Sequence, residues 1–467
     1  MPSRREQIQS YQYLMQRVVN AFVSGEADPS MSPTRRLAGA GFASVMAAVL
    51  ALAVFGVIGL VKHGGNTSWQ DNGAVVIEKE TGTRYVYRDG VLYPVANFAS
   101  AVLAIGRPVT TVTVSRESLV GAARGPLIGI AGAPDALPPA GRLLREAWST
   151  CAMSGRDDAG APTVTSLLLV GRTPGGGHQL GDSGVLVRDT SQRTYLIWHG
   201  HRFLFGNAKQ LAALGIDQQP KLAVDGAWLN TVPVGVQISQ PAVDGRGKGS
   251  TAVKDRLVGQ VLTTTSGGTT VSYLVRAADL LRITPIQQAL ILADPDTAGA
   301  YPGTAPKALP VQPADVANAP KAAQPAATDL DAPAEVPAMT GADASGTICS
   351  TFADGRADPT FLVNGDPQPQ NAGIATNGSS TDEVVDRVVV PPGSGAVVRS
   401  APSSETDAGT VFLVTDQGRR YALTSPGQLA WFGYGSVKPI VLPAAVVARI
   451  PSGPSLDPRV AQRPLSG

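Results

Sequence analysis

Residues 37–61 run for 25 positions without one charged side chain. A helix of that length reaches roughly 37 Å at about 1.5 Å per residue, enough to cross a hydrocarbon core of about 30 Å with some tilt. The pattern predicts a single membrane span. A signal peptide would have an apolar core about half as long behind a much shorter leader, whereas 36 residues precede this run. Arg4, Arg5, Arg17, Arg35 and Arg36 lie before it and Lys62 directly after. The basic bias is N-terminal, so the positive-inside rule puts the N-terminus in the cytosol and the long remainder outside. Ahead of the span, Ile8, Tyr11, Met15, Val18, Val19 and Phe22 recur at three- and four-residue steps. That spacing predicts an amphipathic helix ending near Ser24-Gly25. Its other face carries Arg4, Arg5, Glu6, Gln7 and Arg17 rather than a dense basic stripe. The helix therefore reads as a docking element for cytosolic partners, with Ile8, Tyr11, Met15, Val18 and Phe22 as contacts, in preference to one lying on lipid.

Beyond the span the pattern repeats itself. RYVYRDGVLYPVANFASAVLAIG (84–106) resembles TYLIWHGHRFLFGNAKQLAALGI (194–216), and weaker copies fall at 273–285 and 411–434. Each reads as an aromatic-led strand (Tyr85, Tyr195, Tyr273, Phe412), a tight turn, a second strand and a short capped helix. Gly90, Gly200 and Gly418 make the turns; the third copy has Ala278 there. The alternating aromatics read as the repeats' own core rather than as a sugar-stacking surface. Pro-x-Gly elements follow the second and fourth copies (232–235, 450–453) and not the first or third, which suggests a pair of repeats used twice. Strand-like runs at 109–114, 167–170 and 388–390 lie between copies.

The predicted fold is β-rich α+β: one transmembrane helix, a central antiparallel β domain and four hairpin–helix repeats in a pseudo-two-fold arrangement. The expected boundaries are a cytosolic helix and basic flank over 1–36, the span over 37–61, repeat 1 over 64–107 and the first part of the central domain over 108–189. Repeat 2 follows over 190–241, repeat 3 over 250–293 and an Ala/Pro-rich linker, disordered or semi-extended, over 294–345. The second part of the central domain spans 346–410, and repeat 4 with a C-terminal extension spans 411–467. Composition agrees, because 52 Gly, 37 Pro and 5% aromatics in 467 residues suit short strands and many turns. A net charge of +2 argues against a nucleic-acid partner. Cys151 and Cys349 are the only cysteines. Outside the membrane they favour one disulfide, with two separate buried thiols as the alternative.

Catalytic motifs are absent. No GxxxxGK[ST] phosphate loop occurs; in GRGKGS (245–250) Lys248 is followed by Gly249 and Ala242 holds the upstream glycine position, so the run reads as a flexible basic loop. Gly181-Asp-Ser-Gly184 lacks a convincing base among the four histidines. His199 and His201 read as turn residues rather than metal ligands, because the other copies keep neither. No catalytic residue, cofactor or metal is expected.

QIQSYQYLMQRVVNAFVSGEADP, a basic pair, one span, YVYRDGVLYPVANFASA, four hairpin repeats, an Ala/Pro-rich insertion and LPAAVVARIPSGPSLDP together resemble the EccB family. That family is a core membrane subunit of the type VII (ESX) secretion system of actinobacteria. The resemblance implies a structural subunit of the cell inner membrane, single-pass, with cytoplasmic N-terminus and periplasmic body. It implies a Cys151–Cys349 disulfide. Its implied partners are EccC, EccD and EccE, further EccB copies through the periplasmic body, the membrane-anchored mycosin protease and the lipid bilayer. Members are often labelled ATPases, although the recognised motor of the machine is EccC. An ATPase role and a cell-wall-binding anchor are the competing readings.

Overall fold

The structure, a computed structural model, describes residues 3–25, 33–61, 67–71, 73–324, 326–341, 346–367, 373–376, 383–402 and 408–465. Lys62 and His63 lie outside them. Arg4–Ser24 is one helix. It begins where the Ser3 N–H donates to the Glu6 carboxylate at 2.8 Å and stops at Gly25, whose φ of 65° lets its N–H return to the Ala21 carbonyl. The stripe from Ile8 to Phe22 is exposed, with Val18 at 49% and Phe22 at 89%. A second helix, Pro33–Val61, contains Ala38–Val57, the one described segment long and apolar enough to cross a membrane.

Each repeat is larger than a hairpin and a helix. Repeat 1 comprises Ala74–Glu78, Arg84–Arg88, Val91–Pro94, the helix Phe98–Ile105 and a return strand, Thr110–Val114, lying parallel beside the first. The same order recurs from Val185–Arg188 to Lys221–Ala223, from Val261–Ser266 to Leu309–Pro310 and from Gly395–Ala401 to Ile440–Pro443. Register fixes the equivalence residue by residue. Tyr85, Tyr195, Tyr273 and Phe412 stand on one rung, opposite Val76, Val187, Leu262 and Val398 on the first strand. On the third strand they face Pro94, Leu204, Arg282 and Ala422. Asn97, Asn207 and Thr284 then cap the helices by accepting the N–H three residues on. Gly90, Gly200 and Gly418 take φ of 80°, 82° and 66° at the turns. In repeat 3 neither Ala277 nor Ala278 has positive φ; the Arg276 N–H donates to the Asp279 carbonyl, and their side chains pair at 2.6 Å across the turn.

Three runs expected in the central domain therefore belong to repeats. Thr110–Val114 closes repeat 1, Val185–Arg188 opens repeat 2 and Gly395–Ala401 opens repeat 4. A short β-branched strand carries no mark of the sheet it joins; only its partner decides.

What remains is a seven-stranded hub drawn from both sides of repeats 2 and 3. Its order is Ile374–Ala375, Arg387–Val389, Pro162–Leu169, Trp148–Arg156, Thr347–Phe352, Thr360–Val363 and His178–Gln179. Arg387–Val389 runs parallel to Pro162–Leu169, so the hub is mixed rather than purely antiparallel. Cys151 and Cys349 face each other on adjacent strands as a disulfide, with Cα atoms 4.0 Å apart. They are buried beside Leu167, Leu169, Leu362 and Val389. The two-residue period turns their neighbours to the opposite face. There Trp148, Leu168 and Phe352 pack against repeat 4, and Ala152, Ile348 and Phe361 against repeat 2. Closing a 198-residue separation stabilises by at most roughly 5 kcal/mol on the chain-entropy model. Non-reducing electrophoresis should show a faster-migrating monomer, and Cys151→Ser should abolish the shift. Cys349→Ser should lose the same stability, with little more lost in the double variant, since both remove one bond.

The repeats pair in a nested order. Val102 and Leu103 of repeat 1 pack with Leu413, Tyr421 and Leu429 of repeat 4; Ile286 and Leu290 of repeat 3 pack with Phe203 and Leu211 of repeat 2. The grouping is thus 1 with 4 and 2 with 3, rather than the 1–2 and 3–4 pairs that the Pro-x-Gly elements suggested. Tyr434 of repeat 4 is 2% exposed and donates to the Pro138 carbonyl at 2.6 Å. Burial pushes its phenol up to about 12 from 10.0. The fold favours the neutral phenol, so this stabilisation is complete below pH 10 and is lost as pH rises from about 10 to about 12. Chemical denaturation followed across that range should give a shallower alkaline loss for Tyr434→Phe.

The linker expected over 294–345 to need no fold is instead stitched down where it is described. Leu309–Pro310 pairs with Val261–Ser266, Val316 is buried, Leu280 and Lys321 bridge, and the Gly184 N–H donates to the Ala338 carbonyl. Ala332, Val336 and Met339 pack on repeat 2. Composition misled here because an extended strap holds on through backbone groups, which any residue but proline supplies in full.

Candidate functional site

The motifs weighed for catalysis are occupied by internal contacts. In the 245–250 loop the Gly247 N–H donates to Val258, Lys248 to Gly245 and Ser250 to Arg256, each at a carbonyl. Arg246 reaches Asp294 at 2.7 Å. Against the opposing pull of burial, the Asp296 N–H, Arg246 and Gln240 hold the Asp294 carboxyl below its usual value. The loop is thus pinned rather than free, and these N–H groups do not form the outward nest that cradles a phosphate. His199 stacks on Trp198 at 3.8 Å and meets Asp182 at 3.0 Å, while the buried His201 donates from Nδ1 to the His199 carbonyl at 2.9 Å. The two rings engage different partners, and among the described residues no cluster of three His, Cys, Asp or Glu converges. His178 Nε2 lies 3.0 Å from Thr340 Oγ1.

Two buried carboxylates escaped the sequence reading. Glu78 and Asp189 stand at equivalent places, two residues past Val76 and Val187. Glu78 accepts from the Tyr85 hydroxyl at 3.0 Å and Arg116 Nε at 2.9 Å; Asp189 accepts from Tyr195 at 3.4 Å and Arg193 Nε at 2.8 Å. The Arg116 guanidinium holds the Glu78 carboxyl below its ordinary range. Each carboxylate is satisfied within its own repeat and is internal glue. Tyr85, Tyr195 and Phe412 are buried and Tyr273 is half-buried, so the aromatic rung faces the repeats' own cores.

A further element closes every repeat. An extended segment runs parallel along the third strand, bridging Leu92 to Arg124, Arg202 to Val234, Leu280 to Lys321 and Arg420 to Ser452. The next residue, Gly125, Gly235, Ala322 or Gly453, donates its N–H back to the same third-strand carbonyl. A Cβ on Gly125, Gly235 or Gly453 would stand 2.4, 2.2 or 2.3 Å from the ring of Tyr93, Phe203 or Tyr421. Where repeat 3 has Ala322, the equivalent of these rings is Leu281. The Pro-x-Gly reading therefore found two of four copies; a glycine matched to the ring three residues past the turn glycine would have found the first.

Among the described residues, three surfaces are open to other molecules. The exposed stripe of Arg4–Ser24, the apolar helix behind it and the outer faces of the repeats are the candidates.

Over residues 1–464 the chain matches the family described as Type VII secretion system ESX-1, transport TM domain B. It is 31% identical over 245 residues to the ESX-2 secretion system ATPase EccB2 of Mycobacterium tuberculosis (strain ATCC 25618 / H37Rv), a match covering 50% of this chain and 48% of that one. The chain thus spans about half the length of that relative. It is 25% identical over 485 residues to the ESX-3 secretion system ATPase EccB3 of Mycolicibacterium smegmatis, covering 97% of this chain and 89% of the relative. Its fold is similar to a chain of an intact ESX-5 inner membrane complex, with a TM-score of 0.63 at 22% identity over 100% of this chain and 96% of that one. A similar likeness, TM-score 0.63 at 21% identity over 83% and 99% of the two chains, is found to an EccB3 dimer from the ESX-3 core complex.

Proposed function

Because the chain belongs to the EccB family of type VII secretion, we propose that it is a structural subunit of an ESX inner-membrane secretion complex. The observation that carries this reading is the family match from residue 1 to residue 464, which takes in the docking helix, the span and the body together. In this reading Arg4–Ser24 lies in the cytosol and binds the EccC, EccD and EccE subunits. Ala38–Val57 crosses the membrane once. The repeats and hub stand in the periplasm, where the body meets further copies of the chain and the mycosin protease. The basic N-terminal flank supports that orientation, and a dimeric relative of similar fold supports the association of copies. The body's contribution is rigid spacing: four sheets fixed on one hub, tied by a disulfide suited to an oxidising compartment.

Relatives named as ATPases give a second reading. A tagged full-length chain, purified from detergent-solubilised membranes, decides between them. The scaffold reading expects EccC, EccD and EccE to co-purify and ATP turnover to follow EccC. Turnover by the chain freed of EccC, and lost in a variant of its own residues, would establish the enzyme instead. A chain that purifies alone would remove the complex from the proposal.

A further inference from the structure

The outer face of repeat 4 carries a hollow of about 500 Å³, lined by Thr424, Gln428, Trp431, Asp457 and Arg459. It lies between the helix Gln428–Trp431 and the segment that follows Leu456. The bridges from Phe205 to Ile238 and from Leu423 to Leu456 put Asn207, Ala213 and Ser239 of repeat 2 at the same places as Ser425, Trp431 and Asp457. The hollow there is about 170 Å³, and Leu290 and Asp294 of repeat 3 form part of its wall. Counted the same way from Asn97 and Thr284, the place of Trp431 is held by Leu103 in repeat 1 and Leu290 in repeat 3, both buried. Repeat 4 sets a tryptophan there, half-buried, with one side on the core shared with repeat 1.

The floor of this hollow is fixed, and its rim is unpaired. Gln428, 2% exposed, accepts from the Thr424 and Ser425 N–H groups and donates to Thr424 Oγ1 and the Leu456 carbonyl, so its amide is fully committed. Thr424 Oγ1 receives one of those bonds and keeps its own proton for another acceptor. Asp457 accepts the Arg459 N–H on Oδ1 at 2.8 Å and leaves Oδ2 without a partner among the described residues. The Arg459 guanidinium and the Trp431 indole N–H have none there either. Asp457 and Arg459 stand two residues apart at one rim, yet they form no ion pair with each other.

We propose that this hollow binds a neutral sugar ring, of the kind a wall polymer presents. The C–H face of the ring lies on the Trp431 indole, an apolar surface with a polar N–H at its edge. The ring's hydroxyls meet Asp457 Oδ2, the Arg459 guanidinium and the Thr424 hydroxyl. A hydroxyl both donates and accepts, so neighbouring hydroxyls satisfy a carboxylate and a guanidinium together. The two charges offset each other at the site, which favours an uncharged ligand over an anion or a cation. The volume falls within the range of about 300–1,000 Å³ usual for small-molecule sites. Trp431 stands apart from the aromatic rung of Tyr85, Tyr195, Tyr273 and Phe412, whose rings serve the repeats' own cores. The contact goes beyond the scaffold role and adds a hold on the wall to it.

The test uses full-length protein in a detergent without a sugar headgroup, titrated with the tetrasaccharides of N-acetylglucosamine and of mannose and followed by saturation-transfer NMR. Wild type should bind at least one of them saturably. Trp431→Leu, which installs the side chain that repeats 1 and 3 carry at that place, should weaken binding by roughly two- to tenfold, the range that one ring contact contributes. Arg459→Ala removes an exposed side chain without an internal partner, so it should weaken binding with thermal unfolding unchanged. Lys438→Ala, exposed on the same repeat outside the hollow, should bind as wild type does. No saturable binding of either sugar, or equal binding by Trp431→Leu and Arg459→Ala, overturns the site. An alanine tetrapeptide that binds more tightly than both sugars overturns the ligand class. Sugar binding by a chain that purifies without other subunits leaves this inference standing while the scaffold reading falls, so the two fail separately.

Discussion

Replacing Met15 and Val18 with aspartate should release the chain from the large membrane complex and stop export of the system's substrates. Both side chains lie about half exposed on their helix. If they are contacts, each contributes about 1.5–3 kcal/mol to partner binding, and a buried unpaired carboxylate adds a penalty of several kcal/mol more. A loss of that size takes a stable complex to no detectable assembly. The span and the body are untouched, so the variant should still insert and its disulfide should still form. Native gels and a secretion assay on the same cells read both halves of the expectation. An intact complex with normal export would remove the docking role from this helix.

The second large effect is expected inside repeat 2. Gly235→Ala places a methyl group 2.2 Å from the Phe203 ring, and overpacking of a buried contact typically costs about 1–3 kcal/mol. Repeat 3 shows how the clash is avoided, because it combines Ala322 with Leu281 at the same two positions. The double variant Gly235→Ala/Phe203→Leu should therefore recover stability that Gly235→Ala loses, beyond what the sum of the single changes predicts. Thermal unfolding of the four proteins measures the coupling, which contacting residues commonly show at about 0.5–3 kcal/mol. Strict additivity would mean that glycine and ring are not matched.

The parts of this molecule that sequence announces are those whose signal is local. Ala38–Val57 is legible from the absence of charge, and the Gly90, Gly200 and Gly418 turns from the φ that only glycine takes comfortably. The aromatic rung is legible because four strands keep one ring at one place. Pairing is another matter. Thr110–Val114 and Gly395–Ala401 look like any other β-branched strands, and nothing within them says that they complete repeats rather than the hub. Repeat 1's closing segment was missed because Gly125 lacks the proline that flagged its counterparts, although its match to Tyr93 was available. The strap over 309–340 looked structureless because apolar density was the measure, while backbone hydrogen bonds hold it. Glu78 and Asp189 were passed over because a charge on a strand reads as solvent-facing until its arginine and tyrosine are in view.

The nested pairing of repeats sets a timetable. A chain anchored near its N-terminus delivers repeat 1 first and repeat 4 last, so Val102 and Leu103 must wait through the arrival of nearly the whole body before Leu413 and Tyr421 can cover them. Repeats 2 and 3, neighbours in the chain, can close during that interval. Such long-range closure is slow and leaves apolar surface open to aggregation meanwhile. The last residues tighten it further: the Leu465 N–H donates to Leu127, and the Gly129 N–H to Arg463, binding the final segment to the first repeat. Truncations from the C-terminal end should thus be punished out of proportion to the residues they remove, since the domain left unsealed is the one that emerged earliest.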